Sequence, residues 1–307
     1  MVRKAKEEKT FSTKAERLAL LKQTIKDINK KHPGSAIQIG GLKAWDKLGS
    51  GIPQVDELLG GGIPYGTFTT IWGGKSAGKT TLALNMVREA QKQGKIVYYI
   101  ALEPLDLERA QQLGVNTDEL MVGSFPIAEH SLDSIIDVAR QKLVDVIILD
   151  SIHSLSPKSE QQEKTGKEKS MEDDTMALLA RKLSQFFRVA VHPLREGNIA
   201  CLLIGQTRTS IGFIAIEQLS GGNALKHYSK LILHMTRGQK ANAPTATIVD
   251  EEGIKQKVIV GFESKLKIDT TQISGTKPEL TLLSLPYKFE NGFNDLLEEE
   301  KDESTQA

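Results

Sequence analysis

Between the apolar run Phe68–Trp72 and the helical pattern that opens at Thr81, the chain reads Gly73-Gly74-Lys75-Ser76-Ala77-Gly78-Lys79-Thr80. No other stretch restricts the fold as tightly, because G-x-x-x-x-G-K-[ST] works as chemistry only when a buried strand delivers it to the first turn of a helix. The glycines let successive backbone N–H groups wrap a phosphate, and the helix N-terminus adds its positive end. Lys79 then offers a cation to the β and γ phosphates, and the Thr80 hydroxyl offers a ligand to Mg²⁺. The strand before and the helix after favour this reading over a chance glycine turn. ATP and Mg²⁺ are the cofactors it implies.

The surrounding pattern supplies the scaffold. Apolar runs recur at Phe68–Trp72, Ile96–Leu102, Val144–Leu149, Ala200–Ile204 and Leu231–Met235, with helical periodicity between most of them. Leu132, Ile135, Ile136, Ala139 and Leu143 mark one connecting helix, and Met176, Leu179, Leu183, Phe187 and Ala190 another. Short continuous apolar strands alternating with helices predict an α/β fold with a doubly wound, mostly parallel sheet. Asp150 follows Val146-Ile147-Ile148-Leu149, so it stands at the carboxyl end of a buried strand, where a phosphate-loop protein needs a carboxylate for its magnesium shell. An ordinary helix N-cap is the competing reading of Asp150. Glu103, at the end of the strand Ile96–Leu102, can orient or deprotonate a water if that strand neighbours the phosphate loop.

With 307 residues, 39% of them hydrophobic, the chain can form one large core with small appendages. It has no apolar stretch long enough to span a membrane and no secretory h-region, so a cytosolic protein without membrane contacts is expected. The single cysteine, Cys201, sits in an apolar run and reads as a small buried hydrophobe. A formal net charge of +1 conceals polarity: residues 1–31 hold ten Lys/Arg against four Asp/Glu, and residues 290–307 hold one Lys against seven acids. Both ends read as solvated, and a second reading makes the acidic tail a competitor of nucleic acid for a basic surface. Leu18, Leu21, Ile25 and Ile28 share one face of a predicted helix from Ala15 to Lys31, which His32-Pro33-Gly34 ends.

Taken in order, Gly73 to Thr81, Glu103, Asp150-Ser151, Gln206-Thr207-Arg208 and Gly221-Gly222-Asn223-Ala224-Leu225-Lys226 resemble the bacterial RecA recombinase family, over roughly Ala15 to Phe293. Phosphate loops are widespread, whereas the Gly-Gly-Asn-Ala-Leu-Lys stretch after a Gln-containing loop is much more particular. Gly51 to Gly62 is similar to archaeal and eukaryotic recombinases and to KaiC-type ATPases, and identifies the superfamily only. The resemblance implies a homologous recombinase that forms filaments on single-stranded DNA, pairs it with duplex DNA and exchanges strands. It makes Glu103 the base, Gln206 a γ-phosphate sensor, and residues 73–81, Asp106, Arg109 and Asp150 the nucleotide site. Arg109 stands where the family has a stacking tyrosine, a place a guanidinium can also fill.

DNA contacts are implied at two loops. The first, Ser159 to Asp174, carries Lys164, Lys167 and Lys169, diluted by Glu160, Glu163, Glu168, Glu172 and Asp173. The second, Gln206 to Gly222, carries Arg208, Thr209, Ser210 and Gly212 for phosphates, Phe213 and Ile214 to wedge between bases, and then Gly221, Gly222 and Asn223. Each also reads as an ordinary surface loop. The family uses paired lysines from the next subunit, of which Lys265 remains while Glu263 occupies the other place; Lys257 or Lys267 can substitute in a shifted register. Three parts follow: residues 1–47, a helix and linker for subunit packing; 48–293, the ATPase and DNA-binding core; 294–307, an acidic tail without the family's globular C-terminal domain. Partners implied are single- and double-stranded DNA, further copies in a filament or ring, a single-strand-binding protein and mediators, in the cytoplasm of a cell or of a phage host. A regulatory paralogue that binds ATP and DNA but exchanges strands poorly is the alternative. A KaiC-like or helicase-like ring ATPase is disfavoured by Gly221–Lys226.

Overall fold

The computed structural model describes residues 13–31, 45–158, 171–210, 216–219, 222–249, 255–279 and 282–296. The chain divides into two compact units, Met1–Ala44 and Trp45–Ala307. In the first, helix α1 (Lys14–Lys31) is 18 residues long with no buried residue. Its start is set by a reciprocal capping box, in which Glu16 N–H donates to Thr13 Oγ1 at 3.2 Å and Thr13 N–H to Glu16 Oε2 at 3.3 Å. Lys30 and Lys31 lie in its last turn, where cations suit the helix dipole. Leu18, Leu20 and Leu21 are exposed on it.

The second unit opens with β1 (Lys47–Leu48), α2 (Pro53–Leu59) and β2 (Ile63–Pro64). Then come β3 (Thr67–Gly73), α3 (Lys79–Lys92), β4 (Val97–Ala101), α4 (Leu107–Gln112), β5 (Met121–Gly123), α5 (Ala128–Arg140) and β6 (Val146–Asp150). After a 3₁₀ turn at Ile152–Ser154 follow α6 (Met171–Gly197), β7 (Ala200–Ser210), β8 (Ile216–Leu219), α7 (Gly222–Tyr228) and β9 (Ser229–Arg237). The unit closes with β10 (Thr245–Val249), β11 (Lys255–Ile259), β12 (Gly261–Thr271) and β13 (Leu283–Lys288).

The main sheet runs β13-β12-β9-β3-β7-β6-β4-β5. From β9 to β5 every neighbouring pair is parallel, while β12 is antiparallel to both β9 and β13. The five apolar runs are β3, β4, β6, β7 and β9, the parallel centre of an α/β sheet. They are mostly apolar on both faces because both faces are covered. Ile71, Ile148, Leu202 and Leu233 pack with Leu82 and Met86 of α3 on one face. Phe68, Ile147, Leu203 and Ile232 pack with Ile135 of α5 and Phe187 of α6 on the other. β10 and β11 form a separate antiparallel pair. Among the described residues no helix is long and apolar enough to cross a membrane.

Two loop expectations change. β7 runs on to Ser210, and Arg208, Thr209 and Ser210 pair antiparallel with Gln218, Glu217 and Ile216 of β8, so the described parts of Gln206 to Gly222 are two paired strands and the first residue of a helix. Leu219, buried, lies over Gly205 on the covered face. The stretch predicted as loop up to Asp174 is helical from Met171 onward.

Candidate active site

The four central strands end at one edge of the sheet, and the register there decides which side chains meet. Gly73 of β3 lies opposite Gln206 of β7, and Ala101 of β4 opposite Asp150 of β6. β3 stops at Gly73 because nothing larger fits: a Cβ there would lie 1.7 Å from the Met235 carbonyl oxygen, at φ 147°. Gly78, at φ 98°, leads into α3 against the Phe293 ring.

Within the turn, Lys79 folds back, its Nζ donating to the carbonyls of Gly73 at 3.0 Å and Gly74 at 2.6 Å. Burial holds its pKa below the ordinary value of 10.5, against the attraction of Asp150 and Glu103. Thr80 Oγ1 and the Tyr99 hydroxyl both donate to Asp150 Oδ2, each at 2.8 Å. Burial raises the Asp150 carboxyl above its ordinary 3.8 despite those two bonds, and it pushes the Tyr99 phenol well above 10.0. A carboxylate desolvated beside a hydroxyl gains most from a divalent cation, so Thr80 and Asp150 fit Mg²⁺ as ligands. Among the described residues no group of three or more His, Cys, Asp or Glu is arranged to hold a metal.

Glu103, just beyond β4, reaches the same edge. Gln206 Nε2 donates to its Oε1 at 3.3 Å, and Ser154 Oγ donates to the same oxygen at 3.1 Å. His153 Nε2 lies 3.4 Å from it, with Nδ1 2.8 Å from Ser151 Oγ. The sequence pattern brings Glu103, Asp150 and Gln206 to one edge, as the strand ends require. It gives no hint of His153 and Ser154, which sit in a three-residue turn too short to carry a periodicity.

On the other side of the loop opens a cleft of about 400 Å³, lined by residues 76–81 and by Arg237, Phe262, Tyr287 and Phe289. Phe262 stacks on Tyr287 with ring centroids 4.3 Å apart, and the Arg237 guanidinium lies over Phe262 at 4.3 Å. Asp106 is tied up as the N-cap of α4, accepting from Arg109 N–H at 2.9 Å. Arg109 donates to the Glu290 carbonyl, to Gln112 Oε1 at 3.2 Å and to the Tyr287 hydroxyl at 3.4 Å. The sequence does not announce Tyr287: only Phe289 and Phe293 lie near it, and Phe262, 25 residues away, joins them only through the pairing of β12 with β13.

Lys265 and Lys267 share one face of β12, two residues apart. Lys265 pairs with Glu263 at 3.6 Å and Lys267 with Asp269 at 3.2 Å. Glu263 also accepts from Ser284 Oγ at 2.5 Å and Asn242 Nδ2 at 3.0 Å, bonds that hold its carboxyl below the ordinary range. Lys257 belongs to the β10–β11 pair instead. Of the expected DNA contacts, Arg208, Thr209 and Ser210 lie on β7, and Gly222 and Asn223 open α7. Lys164, Lys167, Lys169, Gly212, Phe213, Ile214 and Gly221 lie outside the described residues, as does the acidic tail from residue 297.

Comparison with known proteins places the chain among many relatives, of which one family model, one curated relative and one solved structure follow. The RecA N-terminal domain family model matches residues 19–273. Protein RecA of Marinobacter nauticus is 36% identical over 244 residues, covering 76% of this chain and 65% of that protein, so the match spans less than two thirds of the relative's length. A solved structure described as the RadB recombinase resembles the fold, with TM-score 0.55 and 20% identity, over 80% of this chain and 97% of that one.

Proposed function

Since this chain belongs to the RecA family, we propose that it is a DNA-dependent ATPase that polymerises on single-stranded DNA and catalyses homologous pairing and strand exchange. The observation that carries this reading is the 3.3 Å contact between Gln206 and Glu103. It joins the foot of the β7–β8 hairpin, the segment proposed to hold DNA, to the carboxylate proposed to activate water. A shift of that hairpin on DNA therefore reaches the hydrolytic group directly.

The division of labour proposed is the following. Gly73 to Thr81 cradle the phosphates, with Lys79 leaving the loop carbonyls to meet them. Thr80 and Asp150 hold Mg²⁺, which when bound neutralises charge on the β and γ phosphates. Glu103 takes the proton of the attacking water, and Gln206 sets its place. The aromatic wall of Tyr287 and Phe289, with Arg109 at its margin, is the proposed seat of the base. Lys265 is proposed to act on a neighbouring copy's site, in the manner of an arginine finger. Arg208, Thr209 and Ser210 on β7, with the lysines of residues 164–169, are proposed as DNA contacts. Helix α1, with its exposed leucines, is proposed to pack between copies.

The second reading, a paralogue that binds ATP and DNA without efficient strand exchange, draws on the Glu263–Lys265 pair, which holds one of the expected free cations at home. ATP turnover with and without single-stranded DNA, with electron microscopy of the same samples, decides between them. The recombinase reading expects DNA-stimulated turnover and helical filaments; nucleotide binding with neither would establish the paralogue.

A further inference from the structure

Glu103 presents a single oxygen to four side chains. Its Oε1 lies 3.3 Å from Gln206 Nε2, 3.1 Å from Ser154 Oγ, 3.5 Å from Ser151 Oγ and 3.4 Å from His153 Nε2. The other oxygen, Oε2, has no hydrogen-bond partner among the described residues, and the side chain is 54% exposed. So lopsided a set of partners fixes one end of the carboxylate and turns the other toward solvent.

The four partners come from two places. Gln206 stands at the foot of the β7–β8 hairpin. Ser151, His153 and Ser154 belong to the turn after β6, and that turn runs through Leu155 to Lys158 toward residues 159–170, the segment read from sequence as the first DNA loop. One oxygen is thus where the stems of both loops meet. Within the turn, Ser151 Oγ and His153 Nδ1 are 2.8 Å apart. When the Ser151 hydroxyl donates to Nδ1, Nε2 carries the proton and lies 3.4 Å from both Glu103 Oε1 and Ser154 Oγ, and Ser151 then leaves Oε1 to Ser154, Gln206 and the imidazole.

We infer that His153 is a positioning residue: with Ser154 it clamps Oε1 of Glu103, aims Oε2 at the attacking water, and ties the first-loop stem to turnover. This rests on the reading of Glu103 as the base. A half-exposed glutamate left to itself samples several rotamers, and a carboxylate displaced by about 1 Å loses much of its effect on the reaction.

The test compares full-length wild type with His153→Ala, His153→Gln and Ser154→Ala. ATP turnover is measured with and without single-stranded DNA, alongside affinity for a fluorescent ADP analogue and for a single-stranded oligonucleotide. Expected for His153→Ala is an about tenfold lower DNA-stimulated kcat, with KM for ATP and both affinities within about twofold of wild type. His153→Gln, whose amide N–H can reach Oε1, recovers most of the loss, and Ser154→Ala shows a smaller one. Unchanged stimulated turnover in His153→Ala overturns the inference, whatever Ser154→Ala shows. So does a fall in ADP affinity that parallels the fall in kcat and that glutamine does not relieve, because that is the mark of a merely structural role. Wild type that DNA fails to stimulate sinks the recombinase reading and the loop link together, whereas a stimulated wild type with an unaffected His153→Ala sinks the inference alone.

Discussion

Lys79 spends its charge on two carbonyls of its own loop, and burial disfavours the charged form, so the loop gains from any anion that replaces those contacts. Lys79→Ala is expected to abolish nucleotide-dependent filaments while leaving the thermal midpoint of the nucleotide-free protein nearly unchanged; filaments that persist with ATP would remove this loop from the nucleotide site. Glu263 makes a prediction of the opposite electrostatic kind. Hydrogen bonds from Ser284 and Asn242, with Lys265 nearby, lower its folded-state pKa below the ordinary 4.5. The stability it contributes is present above pH 4.5 and is lost as pH falls through the lowered value. Glu263→Gln should therefore flatten the acid limb of the stability curve, read by urea unfolding at a series of pH values, and should free Lys265. If Lys265 serves a neighbouring copy, the same variant raises turnover in filaments.

Among the elements, α6 and β3 meet through aromatic rings. Phe187, fully buried, stands at right angles to Phe68 with centroids 4.9 Å apart, and it stacks near Tyr228 of α7 at 5.5 Å. Phe187→Ala should cost about 3–5 kcal/mol and lower the thermal midpoint by roughly 6–20 °C, measured by calorimetry; a loss below about 1 kcal/mol would mean that this joint collapses around the gap. Elements like these were readable from the sequence because both faces of their strands are buried and their runs are mostly apolar, broken only by residues such as Thr69, Thr70 and His234. β12 and β13 were not, since Glu263, Lys265, Lys267 and Asp269 put charge on every other residue of an outer strand. The β7–β8 hairpin was missed for a related reason: Thr207-Arg208-Thr209-Ser210 is polar, and only its partner strand shows that it continues β7.

At the scale of the molecule, the phosphate loop, Asp150 and Glu103 were legible because strand ends in a parallel sheet converge, whereas Gln206 came from the family resemblance. His153, Ser154 and Tyr287 were not, because their place depends on a short turn and on a late strand that no spacing announces. The same sheet order governs how the chain comes off the ribosome. β3 carries the loop, yet the strands on either side of it are β7 and β9, and β4, the next to emerge, pairs elsewhere. More than a hundred residues must be translated before β3 acquires a neighbour at Ala200. Until then a nascent polypeptide displays a strand of Thr, Phe, Ile and Trp that the folded protein buries throughout, with both edges bare, which is a form of strand prone to stick to another. Stalled or nonsense-truncated products ending before Ala200 would keep the whole nucleotide motif in their sequence and still partition into inclusion bodies.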